Sequence, residues 1–198
     1  MKRQFYRSPT GIFVIVIALL CTSMLVFGLF PVSAGEQKQA AKFNEKGDLM
    51  RPEGYREWIQ VGTPVTPNDM NDGKAAFPEF HSVYIDPQSF AEYKKTGEFP
   101  DGTILIKELI SVGSKQASSG NGYFMGEFIG LEASVKDSKR FPEEPGNWAY
   151  FSYGHKYPLA AKSAAQPTAA CNACHQSTAA QDWVFTQYYP VLRAAKAK

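Results

Sequence analysis

The sequence predicts an α+β domain, mainly antiparallel sheet with a few helices. Four runs rich in aromatic and β-branched residues read as strands, at 80–85, 103–110, 123–132 and 148–153. The helix signals between and after them are short, and no internal repeat divides the chain. Its length suits one domain with a sizeable core.

The N-terminus comes first. Lys2, Arg3 and Arg7 precede an uncharged apolar run from Gly11 to Phe30, and Pro31-Val32-Ser33-Ala34 ends it with small residues. This is the pattern of an export signal cleaved after Ala34. An uncleaved membrane anchor is the competing reading, because such a run is long enough to cross a bilayer. Leu20 before Cys21 argues against lipid attachment, so Cys21 leaves with the signal. Residues 35–48 are polar and read as a leader that is poorly ordered, and folding proper is expected from Leu49 to Lys198.

Pro52 to Ile59 resembles a short helix with proline in its first turn, and Gly62 to Gly73 a turn-rich loop. The strand Phe80–Ile85 precedes a short helix, Pro87–Lys95, ended by Gly97. Pro100-Asp101-Gly102 turns the chain into Thr103–Ile110, whose two faces are apolar apart from Lys107 and Glu108, as expected of a strand covered on both sides. In Tyr123–Glu132, Gly126 and Gly130 suggest bulges or close approach of a bulky group. After the strand Trp148–Tyr153, an alanine-rich segment from Pro158 to Ala170 leads to a pair of cysteines. Residues 179–198 are expected as a terminal helix broken or kinked at Pro190.

Removing the signal takes three positive charges, leaving 18 Lys and Arg against 19 Asp and Glu in 164 residues. A near-neutral chain without a basic run lacks the footprint of a nucleic-acid binder. The remaining cysteines, Cys171 and Cys174, are three apart, so no disulfide framework staples the domain, and both belong to one local site.

Cys171-Asn172-Ala173-Cys174-His175 is the attachment signature of a c-type haem. Residues three apart share a helical face, so two thiols can reach two vinyl groups along one macrocycle edge. The adjacent histidine, rotated by about a hundred degrees, can bind the iron. A redox-active dithiol, half a zinc site and a plain disulfide use the same spacing. The histidine directly after the second cysteine, in an exported chain, favours haem. Met50, Met70 and Met125 are the available sixth ligands, but none sits in a stretch aimed at the motif, and a strand methionine such as Met125 reads as core filling. An open distal face is the expectation.

The chain also resembles the cytochrome P-460 family. The likeness rests on Tyr55-Arg56-Glu57-Trp58, Asn71-Asp72-Gly73-Lys74, the stretch from Thr96 to Thr103, Gly122 to Gly126, Glu144 to Trp148 and the haem motif. It implies a periplasmic homodimer in which a strand lysine bonds a haem meso carbon. The modified haem oxidises hydroxylamine to nitrous oxide by way of nitric oxide and iron-nitrosyl intermediates, and electrons leave to a c-type cytochrome.

The lysine at the matching position is Lys107, on one face with Leu105 and Leu109. Read without the resemblance, it snorkels to solvent or pairs with an acid; burial would favour the neutral amine that can bond carbon. His81 stands where some hydroxylamine-oxidising relatives carry arginine, and is either a distal donor or a structural strand histidine. Phe77 and Phe80 are expected to line the same pocket, against the alternative of plain aromatic core. Active relatives also place a carboxylate over the haem from the segment before the motif, whereas Gly154 to Ala170 contains no Asp or Glu. Hydroxylamine oxidation is therefore expected to be slow. The alternative function is capture of nitric oxide or another small ligand without turnover, as in the related cytochrome c′-beta group. Simple electron transfer is a third reading and needs a strong sixth ligand.

Overall fold

The computed structural model describes residues 40–195; the expected export signal and residues 35–39 of the leader lie outside them. In chain order the elements are β1 (Leu49–Met50), β2 (Ile59–Gly62), β3 (Phe80–Ile85), α1 (Pro87–Thr96), β4 (Ile104–Val112), β5 (Gln116–Ala117), β6 (Gly120–Asn121), β7 (Met125–Lys136), β8 (Trp148–Ser152), β9 (Lys162–Ser163), α2 (Thr168–Thr178) and α3 (Pro190–Ala195). Strands β2-β3-β4-β7-β8 form one antiparallel sheet in which each neighbour follows in chain order. The fold is α+β, mainly antiparallel sheet, as expected. Two small pairs, β1 with β9 and β5 with β6, flank it.

Alternation along β4 sorts the sheet into two faces. Ile104 and Ile106 pack with Leu131, Ala133, Val135, Ala149 and Phe151 on one side. Leu105 packs with Val83, Ile85, Trp148 and Tyr150 on the other. From Ile104 to Ile110 every β4 residue is buried except Lys107, which accounts for the doubly apolar pattern of this strand. Asp86 caps α1 by accepting from the backbone N–H of Ser89 at 2.8 Å, and Gly97 ends the helix in the left-handed region.

Several expectations need correction. The segment at 52–59 is a single 3₁₀ turn, Tyr55–Glu57, followed at once by β2, because the Tyr55 hydroxyl is anchored on the buried Glu108 at 2.6 Å. The polar stretch before Leu49 is folded from Ala40 onward. Ala41 is buried, the Asn44 side chain accepts from the backbone of Lys46 and Asp48, and Phe43 packs edge-on against Phe141 and Phe151. Met125 is half-exposed at the start of β7 rather than core filling. Residues 179–189 are not helical; Asp182 and Trp183 both take left-handed backbone, and Thr186–Tyr188 is a 3₁₀ turn. Pro190 opens α3 instead of kinking a longer helix, since proline fits the first turn, where its missing N–H has no partner to lose.

Candidate haem site

The motif lies on α2, whose anchor is Asn172. Its amide donates to the Trp148 carbonyl at 3.1 Å and to Glu144 Oε2 at 2.9 Å, and the Thr168 hydroxyl donates to the same carboxylate. With Asn172 facing the sheet, Cys171 is half-buried and Cys174 exposed, both as free thiols. The His175 ring sits between Tyr150 and Phe185, each centroid 4.5 Å away. Its Nδ1 is 2.7 Å from the Trp183 carbonyl oxygen. A carbonyl only accepts, so Nδ1 carries the proton and Nε2 keeps its lone pair, as a metal-ligating histidine requires.

The carbonyl is held by a chain of contacts from the sheet. Asp182, next to Trp183, accepts from Lys136 Nζ at 2.5 Å and from Trp148 Nε1 at 3.2 Å. Gly146, at φ +62°, lies so close to the Trp183 ring that a β-carbon there would come within 2.4 Å of it. This is where the glycine in Glu144-Pro145-Gly146-Asn147-Trp148 is required.

On the sheet face beneath, the register stacks three rungs about 7 Å apart. Tyr150 pairs with Ser134, which pairs with Leu105. The next rung is Ser152, Glu132, Lys107 and Val83, and the third is Gly130, Leu109 and His81. His175 stacks on the first rung, Lys107 occupies the second, and His81 the third. Lys107 Nζ is 2.5 Å from Glu132 Oε2 and 4.8 Å from the Phe77 ring centroid. Glu132 Oε1 is 2.9 Å from His155 Nε2. His155 reaches this position because Gly130 has no side chain: a β-carbon there would meet the Gly154 oxygen at 2.9 Å and the His155 α-carbon at 3.1 Å. A bulge or close approach was expected at Gly130: the register shifts beside it, between Leu109 and Ile110, and the approaching atoms are the Gly154–His155 backbone and the Leu109 side chain.

Phe77, half-exposed, lies with its ring 6.0 Å from that of His81 and belongs to this group. Phe80 does not. It is buried, pairs with Ile110, and by strand alternation faces away from His81 and Lys107. Its reading as a pocket residue is corrected to core. Among the described residues, the buried His81 Nε2 has no hydrogen-bond partner and lies 4.0 Å from Glu79.

Burial, with the nearby Lys107 charge, holds His81 down at about 4, so it is neutral near pH 7. Burial likewise lowers His175 and raises the Cys171 thiol, and the charges of Lys107 and Glu132 act on both. Glu132 is held low: burial pushes it up, but Lys107 and then His155 outweigh this. Because His175 packs on Tyr150 of the first rung and Lys107 stands on the second, the sheet lysine and the α2 motif face one space. The Tyr150 hydroxyl, also without a partner among the described residues, is buried there.

The donor set fits a haem: two thiols one helical turn apart, an imidazole Nε2 with a free lone pair, and aromatic and apolar side chains around them. Among the described residues no three His, Cys, Asp or Glu side chains converge, so a zinc ion on the cysteine pair would lack its further ligands. The family model Cytochrome P460 matches residues 52–186, well over half of the chain. The chain belongs to the cytochrome P460 family. Its cofactor is accordingly a haem. No curated protein matches the chain.

For this cytochrome P460 chain, sequence reasoning passed over Glu132, His155, Tyr150 and Trp183. Glu132 carried one signal, as a charge in a strand that otherwise alternates Leu131, Ala133 and Val135 inward. It is also a carboxylate on the face for which Gly154 to Ala170 supplies none. The other three are brought in by register and by the left-handed turn at Asp182 and Trp183, which have no local pattern.

Proposed function

We propose that this cytochrome P460 chain is a periplasmic oxidoreductase that converts hydroxylamine to nitrous oxide through nitric oxide, as a homodimer, with a c-type cytochrome as electron acceptor. The observation that carries the reading is the position of Lys107, mid-strand on β4, on the rung next to that of Tyr150, on which the His175 ring packs. A lysine there fits bonding to the edge of a haem held by the α2 motif. Cys171 and Cys174 would hold the macrocycle by thioethers, and His175 would bind iron through Nε2. Bound there, the haem supplies a redox-active iron able to take a small nitrogen ligand.

The chain's own residues do the rest. Trp183 orients the proximal imidazole by accepting its Nδ1 proton. Phe77 walls the space beside Lys107 and His81, its ring 4.8 Å from Lys107 Nζ and 6.0 Å from the His81 ring. His81, neutral and with an unpartnered Nε2, offers a hydrogen-bonding group to a ligand on the rung beyond Lys107. Two hydroxylamines yield one nitrous oxide, one water, four protons and four electrons, so the site must export protons as well as electrons.

The test combines mass and turnover. Intact mass under denaturing conditions should show one haem retained, and the bond lost when Cys171 and Cys174 both become alanine. The reduced protein should bind carbon monoxide, and hydroxylamine should reduce an artificial acceptor catalytically. Ligand binding with no turnover would replace this reading by nitric oxide capture of the cytochrome c′-beta kind. A haem-free protein carrying a Cys171–Cys174 disulfide, from cells able to mature c-type haem, would sink both.

A further inference from the structure

Resting on the reading of Lys107 as the residue that bonds the haem, we propose that Glu132 is the acid–base partner of Lys107 in making that bond, and that His155 connects Glu132 to solvent. The contacts form a line. Lys107 Nζ donates to Glu132 Oε2 at 2.5 Å, and Glu132 Oε1 meets His155 Nε2 at 2.9 Å. Lys107 and Glu132 are about three-quarters buried, while the His155 side chain is 51% exposed. Among the described residues, Glu132 is the carboxylate in salt-bridge contact with Nζ. Lys107 and Glu132 face each other directly across β4 and β7, and the Gly154–His155 backbone seats against Gly130 one rung away. The line is thus fixed by backbone pairing rather than by loose surface side chains.

The chemistry requires such a partner. An ammonium has no lone pair, so bonding to carbon demands proton loss at Nζ. Overall, the N–C bond forms, two N–H bonds and the meso C–H bond break, and three protons and two electrons leave. With a peroxide as the two-electron oxidant, the electrons and two of the protons reduce it to two waters, and one proton goes to solvent. A carboxylate is a weak base toward an alkylammonium, and the ion pair first holds Nζ in place. Once nitrogen bonds an aromatic carbon its basicity collapses, and transfer to Glu132 becomes favourable as the bond forms. His155 then carries the proton outward and remains as donor to Glu132 when Lys107 is no longer a cation.

The experiment uses full-length chains expressed in cells that mature c-type haem: wild type, Glu132→Gln, Glu132→Asp, His155→Gln and Lys107→Ala. Intact mass reports haem on the cysteines, the haem peptide after digestion reports the lysine bond, and the optical spectrum follows its formation on adding peroxide. All five should carry haem on Cys171 and Cys174. Glu132→Gln should form the lysine bond about 10² to 10⁴ times more slowly than wild type. Glu132→Asp should recover much of the rate, and His155→Gln should slow it less. A Glu132→Gln protein that forms the bond at the wild-type rate overturns this proposal alone. A wild type without the bond overturns the Lys107 reading and this proposal with it. Should Glu132→Gln fail to fold, His155→Gln decides, and a wild-type rate in that variant overturns the relay.

Discussion

Lys107 and Glu108 are neighbours in sequence and belong to different parts of the molecule, because one step along a strand reverses the side chain. Lys107 meets Glu132 on the face beneath the α2 motif. Glu108, fully buried on the other, accepts from the Tyr55 hydroxyl and from Arg56, whose guanidinium also lies over the Phe128 ring. Arg56 is half-exposed, so solvent weakens its share. Replacing it with methionine should still cost about 1–3 kcal/mol in denaturant unfolding, since the carboxylate left behind stays buried; a loss under 0.5 kcal/mol would show that Tyr55 alone satisfies Glu108. His81 provides a pH test. Its folded value of about 4 lies below the usual 6.5 for histidine, chiefly through burial. Between those values the unfolded chain binds more protons, so the contribution is complete above pH 6.5 and is lost as pH falls toward 4. The span corresponds to at most about 3–4 kcal/mol. Melting curves of wild type and His81→Gln should differ in slope over that window and run parallel above it.

At the scale of elements, the long apolar runs and the first helix were legible because their signals are local: aromatic and β-branched residues for β3, two apolar faces for β4, Gly97 at the end of α1. The haem motif was legible for the same reason, five consecutive residues. What joins the site was not. That Lys107 faces Glu132, and that Phe80 turns its back on His81, depend on pairing between strands that nothing in either strand announces. The terminal helix was misread because 179–189 has a helical composition overridden by tertiary contacts, Asp182 being drawn to Lys136 and Trp148. That turn orients the His175 ring, and Gly146 is its floor. Alanine at 146 would demand left-handed backbone of a non-glycine residue and press a methyl into the Trp183 ring. We expect a loss of roughly 2–4 kcal/mol. A shifted haem spectrum should accompany it as the Trp183 carbonyl moves from His175; destabilisation with an unchanged spectrum would show that this carbonyl does not tune the ligand.

For the whole molecule, the family match begins at residue 52, yet the folded unit begins at least twelve residues earlier. The segment 40–48 closes the sheet face opposite the haem motif. Phe43 packs against both Phe141 and Phe151, its ring centroid 6.0 Å from each, with the Arg140 guanidinium 4.1 Å from its ring centroid, and Ala41 and Leu49 join the Ile104 and Ile106 core. Asn44 and Asp48 form the turn that returns the chain to β1, and Lys162 on β9 pairs with Asp48 at 2.6 Å. A protein that begins at Leu49 would uncover the Phe141 and Phe151 rings and leave β1 with its β9 partner alone. Loss of one partly buried aromatic anchor and this turn should cost about 2–4 kcal/mol, lowering the melting temperature by roughly 5–15 °C relative to a protein that begins at Gly35. Because the segment covers the face away from Lys107, the haem spectrum and carbon monoxide binding of the shortened protein should be unchanged at low temperature. A melting temperature that does not move would mean the polar leader is dispensable, and a spectrum that does move would mean the two sheet faces are coupled through β4.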